Sequence, residues 1–201
     1  MKQLPLEFPN SLAQVSWQMV RPAGIVLGGS VFAALCAQVS IPLFFTPVPL
    51  SLQPFAVLLL GLLLTPQLAA ETLVAYLAEG ALGLPVFAPS AGAPGGLAHL
   101  LGPTGGYLLA YPLAAALISW LYRRSRRGFT AALLSAAAGD AVILGCGALW
   151  LAALPHFAAR PALALAVLPF LPGDALKTAA AAALARGAAR LRRQAQNSHP
   201  S

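Results

Sequence analysis

TGGYLLAYPLAAALISWLYRRSRRGFTAALLSAAAGDAVILGCGALWLAAL, residues 104–154, decides the fold. Two apolar runs, Thr104 to Tyr122 and Phe129 to Leu154, flank the basic segment RRSRR at 123–127. A helix needs about 20 apolar residues to cross a hydrocarbon core of about 30 Å, and both runs suffice. Strands of a membrane barrel would alternate apolar and polar residues in segments of about ten, and these runs do not. With no water to bond the backbone, helices are the remaining solution. Composition agrees: the 201 residues are 59% hydrophobic and only 8% charged, whereas a soluble domain carries roughly 25% charged residues.

Working outward, four more spans are expected. Span 1 runs from Pro22 to Ser40, with proline at an entry position where its missing N–H costs little. IPLFFTPVP (41–49) holds three prolines and reads as a loop. Span 2 covers Leu50 to Leu64 and is short for a bilayer; span 3 covers Gln67 to Leu84. PVFAPSAGAPGGLAHLLGP (85–103) is rich in Pro and Gly yet keeps apolar anchors, so it reads as a structured loop folded against the helices. Spans 4 and 5 are Thr104–Tyr122 and Gly128–Leu154. Span 6, Leu163–Arg190, contains Pro169, Pro172 and Gly173, so a break near its start is expected. The domain reading is a cytoplasmic segment at 1–21, a six-helix membrane domain at 22–190 and a polar cytoplasmic tail at 191–201. The fold class is all-α integral membrane.

Six spans place both termini on one side. Lys2, Arg21, Arg123, Arg124, Arg126, Arg127, Arg186, Arg190, Arg192 and Arg193 then share that side, while the opposite side has Arg160 alone. By the positive-inside rule the termini are cytoplasmic. The net charge of +7 is thus topological. No basic stripe interleaved with aromatics suggests nucleic acid. Cys36 and Cys146 fall inside apolar spans and read as small buried hydrophobes. No metal-ligand spacing occurs, and no cofactor is implied. No internal repeat suggests an inverted-repeat transporter.

Charges within spans are expensive and need reasons. Asp174 and Lys177 stand at i, i+3 on one helix face, after Pro172-Gly173, which could open the helix and free N–H groups. A carboxylate with an ammonium suits a small head group that both donates and accepts; the competing reading is a self-neutralising pair that holds the bundle. Asp140 at mid-span 5 reads equally as a hydrogen-bonded structural carboxyl or a partner contact. Glu71 and Glu79 read as interfacial, and His99 and His156 as solvated or loop-packing. Aromatics near outer span ends, among them Phe44, Phe45, Phe87, Tyr107, Tyr111 and Trp150, form an interfacial belt, some able to line an apolar pocket. In span 1, Gly29, Ala33 and Ala37 repeat every four residues, beside Ser30 and Ala34. Such stripes admit another helix, although an alanine-rich chain also makes them by chance.

PVPLSLQPFAVLLLGLLLTP (47–66), YLAEGALGLPVFA (76–88), LLGPTGGYLLAYPLAA (100–115) and PFLPGDALKTAAAAALA (169–185) occur in one order. Together they resemble the BioY family, the biotin-specific S components of energy-coupling factor (ECF) transporters, over about residues 22–190. The resemblance implies a six-helix S-component bundle that captures biotin on the outer side of the cell membrane. It implies docking to a transmembrane coupling protein with two cytoplasmic ATPase subunits. No GxxxxGK[ST] phosphate loop is present, so the ATPases are separate chains. It further implies Asp174 and Lys177 as biotin ligands, with Gln53, Phe87, Ser90 and Tyr107 around them, and Gly29, Ala33 and Ala37 as the coupling-protein stripe. At 89–90 and at Glu79 this chain departs from common family residues. An S component for another vitamin, an intramembrane enzyme using Glu79, His99 or Asp140, and a non-catalytic scaffold are the alternatives. Against the enzyme, no paired acidic or histidine motif is present.

Overall fold

The computed structural model describes residues 11–89, 95–154 and 166–198. Its elements are α1 (Ser11–Gln38), β1 (Ser40–Ile41), β2 (Leu50–Ser51), α2 (Gln53–Leu63), α3 (Pro66–Ala81), α4 (Leu97–Leu100), α5 (Gly105–Arg124), α6 (Phe129–Ala153) and α7 (Leu171–Asn197). Of these, α5 and α6 have both the length and the apolarity to cross a membrane; α2 and the apolar part of α1, Pro22–Gln38, are shorter.

The short α2 is where the packing converges. It touches α1, α3, α5, α6 and α7, while α1–α3–α5–α6–α7 pack successively around it. Its side chains Ala56, Val57 and Leu58 are fully buried. Eleven residues rise only about 17 Å at 1.5 Å per residue, less than a bilayer core, and the neighbouring helices cover it. Thr65 ends the segment between α2 and α3: its hydroxyl accepts a hydrogen bond from the Leu68 N–H at 3.3 Å, an N-cap, with Pro66 entering α3 behind it.

Several boundaries differ from the sequence reading. α1 begins at Ser11 and carries Pro22 inside the helix rather than at its entry. α3 stops at Ala81 because Gly83, at φ +95°, turns the chain. The Leu84 N–H reaches Glu79 O at 3.1 Å and the Gly83 N–H reaches Gly80 O at 3.0 Å, the two bonds of a Schellman cap. Span 6 is interrupted near its start as expected: Ala166 and Val167 are helical, 168–170 form a turn, and α7 begins after Phe170, whose carbonyl accepts from the Asp174 N–H at 2.8 Å. Pro172-Gly173 therefore begins the helix and does not open it. Beyond the expected tail boundary, α7 continues to Asn197.

The bundle is apolar outside as well as inside. Leu27, Leu35, Leu113, Leu134, Leu149 and Leu176 are each more than half exposed. In water such faces would form patches that drive association; against acyl chains they are ordinary.

The loop between α1 and α2 is pinned by a short antiparallel pairing, Ser40 with Ser51 and Ile41 with Leu50. It lifts Phe44, fully exposed, to its tip, where Phe45 stacks edge-on at 5.1 Å. Between α3 and α5 the chain folds inward, and α4 buries His99 and Leu100.

Candidate functional site

One cavity of about 520 Å³, counted to its mouth, lies between α2, α4, α5, α6, α7 and the β2 segment. Leu108, Ile143, Leu144 and Phe170 make its walls apolar, and Asp174, Lys177 and Gln53 bring the polar groups.

The charged pair is local to α7. Lys177 Nζ donates to Asp174 Oδ1 at 2.8 Å, and both side chains are buried. Asp174 sits in the first turn of α7, where the helix dipole favours a carboxylate. Since both residues belong to one helix, their bond ties no two helices together, and a bundle-clamping role loses its geometry.

Gln53 lines the cavity from the first turn of α2. Its amide donates to Tyr76 Oη at 2.6 Å, and Tyr76 Oη donates to Val86 O at 2.9 Å. This relay fixes α2 to α3 and to the segment following α3. Tyr107 also lines the cavity, with its hydroxyl donating to Ala166 O at 2.7 Å and its ring tilted against Phe170. The glycines of GPTGGY explain how α5 comes so close to α6: a Cβ on Gly106 would collide with Trp150, whose indole N–H donates to Gly102 O at 2.9 Å.

Of the expected ligand-binding residues, Asp174, Lys177, Gln53 and Tyr107 converge on this cavity. Phe87 is one layer behind: buried, edge-on to Tyr76 and stacked on His99 at 5.1 Å. Ser90 and His156 lie outside the described residues. His99, expected to pack within its loop, is buried and also lines the cavity. Burial holds its imidazole below the usual histidine range. Tyr111, one of the aromatics expected near the outer span ends, lines it too, as do Thr104 and Ser51; a lone small hydroxyl carries no spacing signal that would have picked out the last two.

Gly29, Ala33 and Ala37, the stripe that the family resemblance offers to a coupling protein, pack against this chain's own helices. Ala33 and Ala37 are fully buried. A Cβ on Gly29 would strike Thr72 of α3 and crowd Leu60 of α2. The stripe admits this protein's own helices. Asp140 is neither hydrogen-bonded through Oδ1 nor free to meet a partner: that oxygen is the one buried, unpartnered side-chain polar atom among the described residues. It lies within electrostatic reach of Asp174 and Lys177. Glu79 accepts a hydrogen bond from Ser30 at 2.8 Å, joining α3 to α1, and Glu71 accepts from Gln67 at 2.8 Å.

A buried charged pair in a mostly apolar cavity, inside helices with apolar outer faces, is an arrangement suited to a small molecule with a polar head. The chain belongs to the BioY family, whose model matches residues 9–194. It is 43% identical over 159 residues to the probable biotin transporter BioY of Pyrococcus horikoshii, covering 78% of this chain and 90% of that one. It is 36% identical over 163 residues to the biotin transporter BioY of Thermotoga maritima, covering 80% and 92%. The fold matches the crystal structure of the S-component for biotin from an ECF-type ABC transporter at a TM-score of 0.76, with 29% identity over 88% of this chain and 93% of that one.

Proposed function

We propose that this chain is the biotin-binding membrane subunit of an uptake system and holds biotin in the Asp174–Lys177 cavity. The observation that carries the site is the buried 2.8 Å pair lining a mostly apolar cavity. Biotin's ureido group offers two N–H donors and one carbonyl acceptor, and its thiophane ring and valeryl chain are apolar. Asp174 accepts from a ureido N–H; Lys177 donates to the ligand's carbonyl or carboxylate. Leu108, Ile143 and Phe170 take the ring. The bundle spans the membrane six times, with cytoplasmic termini and the cavity open to the outside. Motion of the cargo inward is coupled to ATP hydrolysis on other chains through a transmembrane coupling protein.

The docking face on α1 is then the row opposite the buried stripe. Gly24 and Gly28 have open space where a Cβ would stand, and Val31 and Leu35 beside them are more than half exposed. Titration of the purified full-length chain with biotin tests the cargo. Saturable binding is expected, and an analogue methylated on the ureido nitrogens should bind at least about tenfold more weakly, because it cannot donate to Asp174. Retention of a different vitamin by the purified chain, with no biotin binding, would reassign the cargo.

A further inference from the structure

At the far end of α7, about 24 Å from Asp174 by helical rise, the structure gathers a second set of charges. Arg126 and Arg127, from the turn after α5, line a groove of about 650 Å³ with Arg186, Arg190 and Arg193 of α7. The three helix arginines stand at i, i+4 and i+7, one face, where like charges repel. Arg186 Nη1 leans across to the turn, 3.6 Å from where a Cβ on Gly128 would be. Arg127 is the one non-glycine residue at positive φ, +49°, among the described residues, and its carbonyl is held by the Tyr122 hydroxyl at 3.3 Å. No carboxylate answers these charges: among the described residues the one ion pair is Asp174–Lys177. Guanidinium forks are suited to bind phosphate oxygens in pairs.

A second groove of about 890 Å³ adjoins the first, sharing Arg127, Ala189 and Arg193 as walls. Its remaining lining is mixed: Leu62 and Leu63 of α2 and Ala185 and Ala188 of α7 make an apolar stretch, beside Tyr122, Arg123 and Gln196. A cup of arginines that opens into a furrow with an apolar stretch of Leu62, Leu63, Ala185 and Ala188 matches a molecule with an anionic head and a hydrocarbon tail. A free anion would use the cup alone, and an acidic protein surface would have no use for the furrow. We infer that this end of the bundle is a binding site for an anionic phospholipid, its phosphate held by the arginines and an acyl chain lying along the furrow. Basic pockets between membrane helices on the cytoplasmic side hold such head groups elsewhere. The site is separate from the cargo cavity and stands whatever that cavity binds.

The test uses the full-length chain in neutral detergent, titrated with short-chain phosphatidylglycerol, with phosphatidylcholine of the same chains and with inorganic phosphate. Biotin binding is measured on every sample. Phosphatidylglycerol should bind saturably and at least about tenfold more tightly than phosphatidylcholine. R190Q should weaken it about fivefold, and the triple variant R186Q/R190Q/R193Q about a hundredfold. R124Q, whose guanidinium stacks 4.4 Å over Trp120 outside the groove, should leave it unchanged. Retained biotin binding in the triple variant shows that the fold is intact. Equal weakening by R124Q and R190Q would reduce the cluster to unspecific surface charge. Inorganic phosphate competing as strongly as the lipid would make it a soluble-anion site. Unaltered lipid binding in the triple variant, with loss of the coupling protein in pull-down, would make it a protein surface. Each of these three results overturns the lipid assignment.

Discussion

Asp174 and Lys177 are one helical turn apart, so a change at either alters both. Lys177→Met leaves Asp174 buried without its partner, which costs about 3–5 kcal/mol; a lower melting temperature and lost biotin binding are expected together, and calorimetry with thermal unfolding reads both. Asp174→Asn keeps the shape and exchanges a charge-assisted hydrogen bond for a neutral one, so biotin should bind about tenfold more weakly in a folded protein. The double variant Asp174→Asn/Lys177→Met separates the roles. Removing a buried pair entirely is often neutral for stability, so it should unfold near the parent's temperature and still fail to bind biotin. Parental affinity in the folded double variant would make the pair structural. These two residues were legible because charge inside an apolar span is conspicuous. Asp140 was equally conspicuous, but its unpartnered oxygen was not foreseeable, since which groups surround a side chain depends on α6 and α7 meeting. Thr104 was hidden because residues of its kind occur throughout apolar runs.

On α1, sequence spacing selected a row of small residues but not its direction. In a soluble helix the apolar face points inward and a polar face outward. Here Leu27 and Leu35 are exposed while Ala33 and Ala37 are buried, so both faces are apolar and hydrophobicity carries no sense of direction. Gly28 and Gly29 differ by one position, a turn of about 100°, yet Gly28 looks into open space and Gly29 onto Thr72. Gly29→Leu should destabilise the bundle by about 1–3 kcal/mol through overpacking against Thr72, seen as a fall in both melting temperature and folded yield. Gly28→Leu should keep biotin affinity and melting temperature while reducing recovery of the coupling protein in pull-down; full recovery would remove α1's outer row as the docking face. The short α4 escaped the sequence reading for a different reason. Four residues, LAHL, are too few for a helix without tertiary support, and the stacking of His99 on Phe87 supplies part of it. That contact has a pH signature. An exposed histidine titrates near about 6.5, and burial holds His99 lower in the closed structure. Closure is therefore fully stable above about pH 6.5 and weakens as pH falls toward the lower value, because the open form binds the proton first. The protection factors of amides 95–104, which remove the intrinsic pH dependence of exchange and are measured without biotin, should fall by up to about tenfold per pH unit below about 6.5 and level off at the folded value. Asp174 and Lys177 face the same cavity, so His99→Gln is the control: it should flatten the profile, and an unchanged profile would assign the step to another group.

Over the whole molecule, the ordering of long helices followed from composition, from proline placement and from the arginine-rich turn, while the depth of α2 in the bundle came only with the fold. A segment that short is ambiguous in sequence: it could be a defective span or one shielded by protein, and contacts with five neighbouring helices decide for shielding. The side of the membrane is a separate question, because the charges that set it act during insertion and leave the packed interior unchanged. Ten basic residues on the side of the termini against Arg160 alone on the other predict cytoplasmic ends. Two exposed positions report the two sides: Phe44 at the tip of the β1–β2 loop and Ser125 after α5. With Cys36 and Cys146 replaced by alanine, Phe44→Cys should react with a membrane-impermeant maleimide added to whole cells, and Ser125→Cys should react only after the cells are opened. The charge difference is large, since each Lys or Arg within about 15–20 residues of a span end counts toward orientation, and the four arginines at 123–127 adjoin two spans at once. A reversed labelling pattern would turn the cargo cavity toward the cytoplasm, and the chain could not then capture biotin from outside. Labelling of both positions in intact cells would mean an even number of crossings between Phe44 and Ser125, in place of the three expected of α2, α3 and α5, and the six-span reading would fall with it.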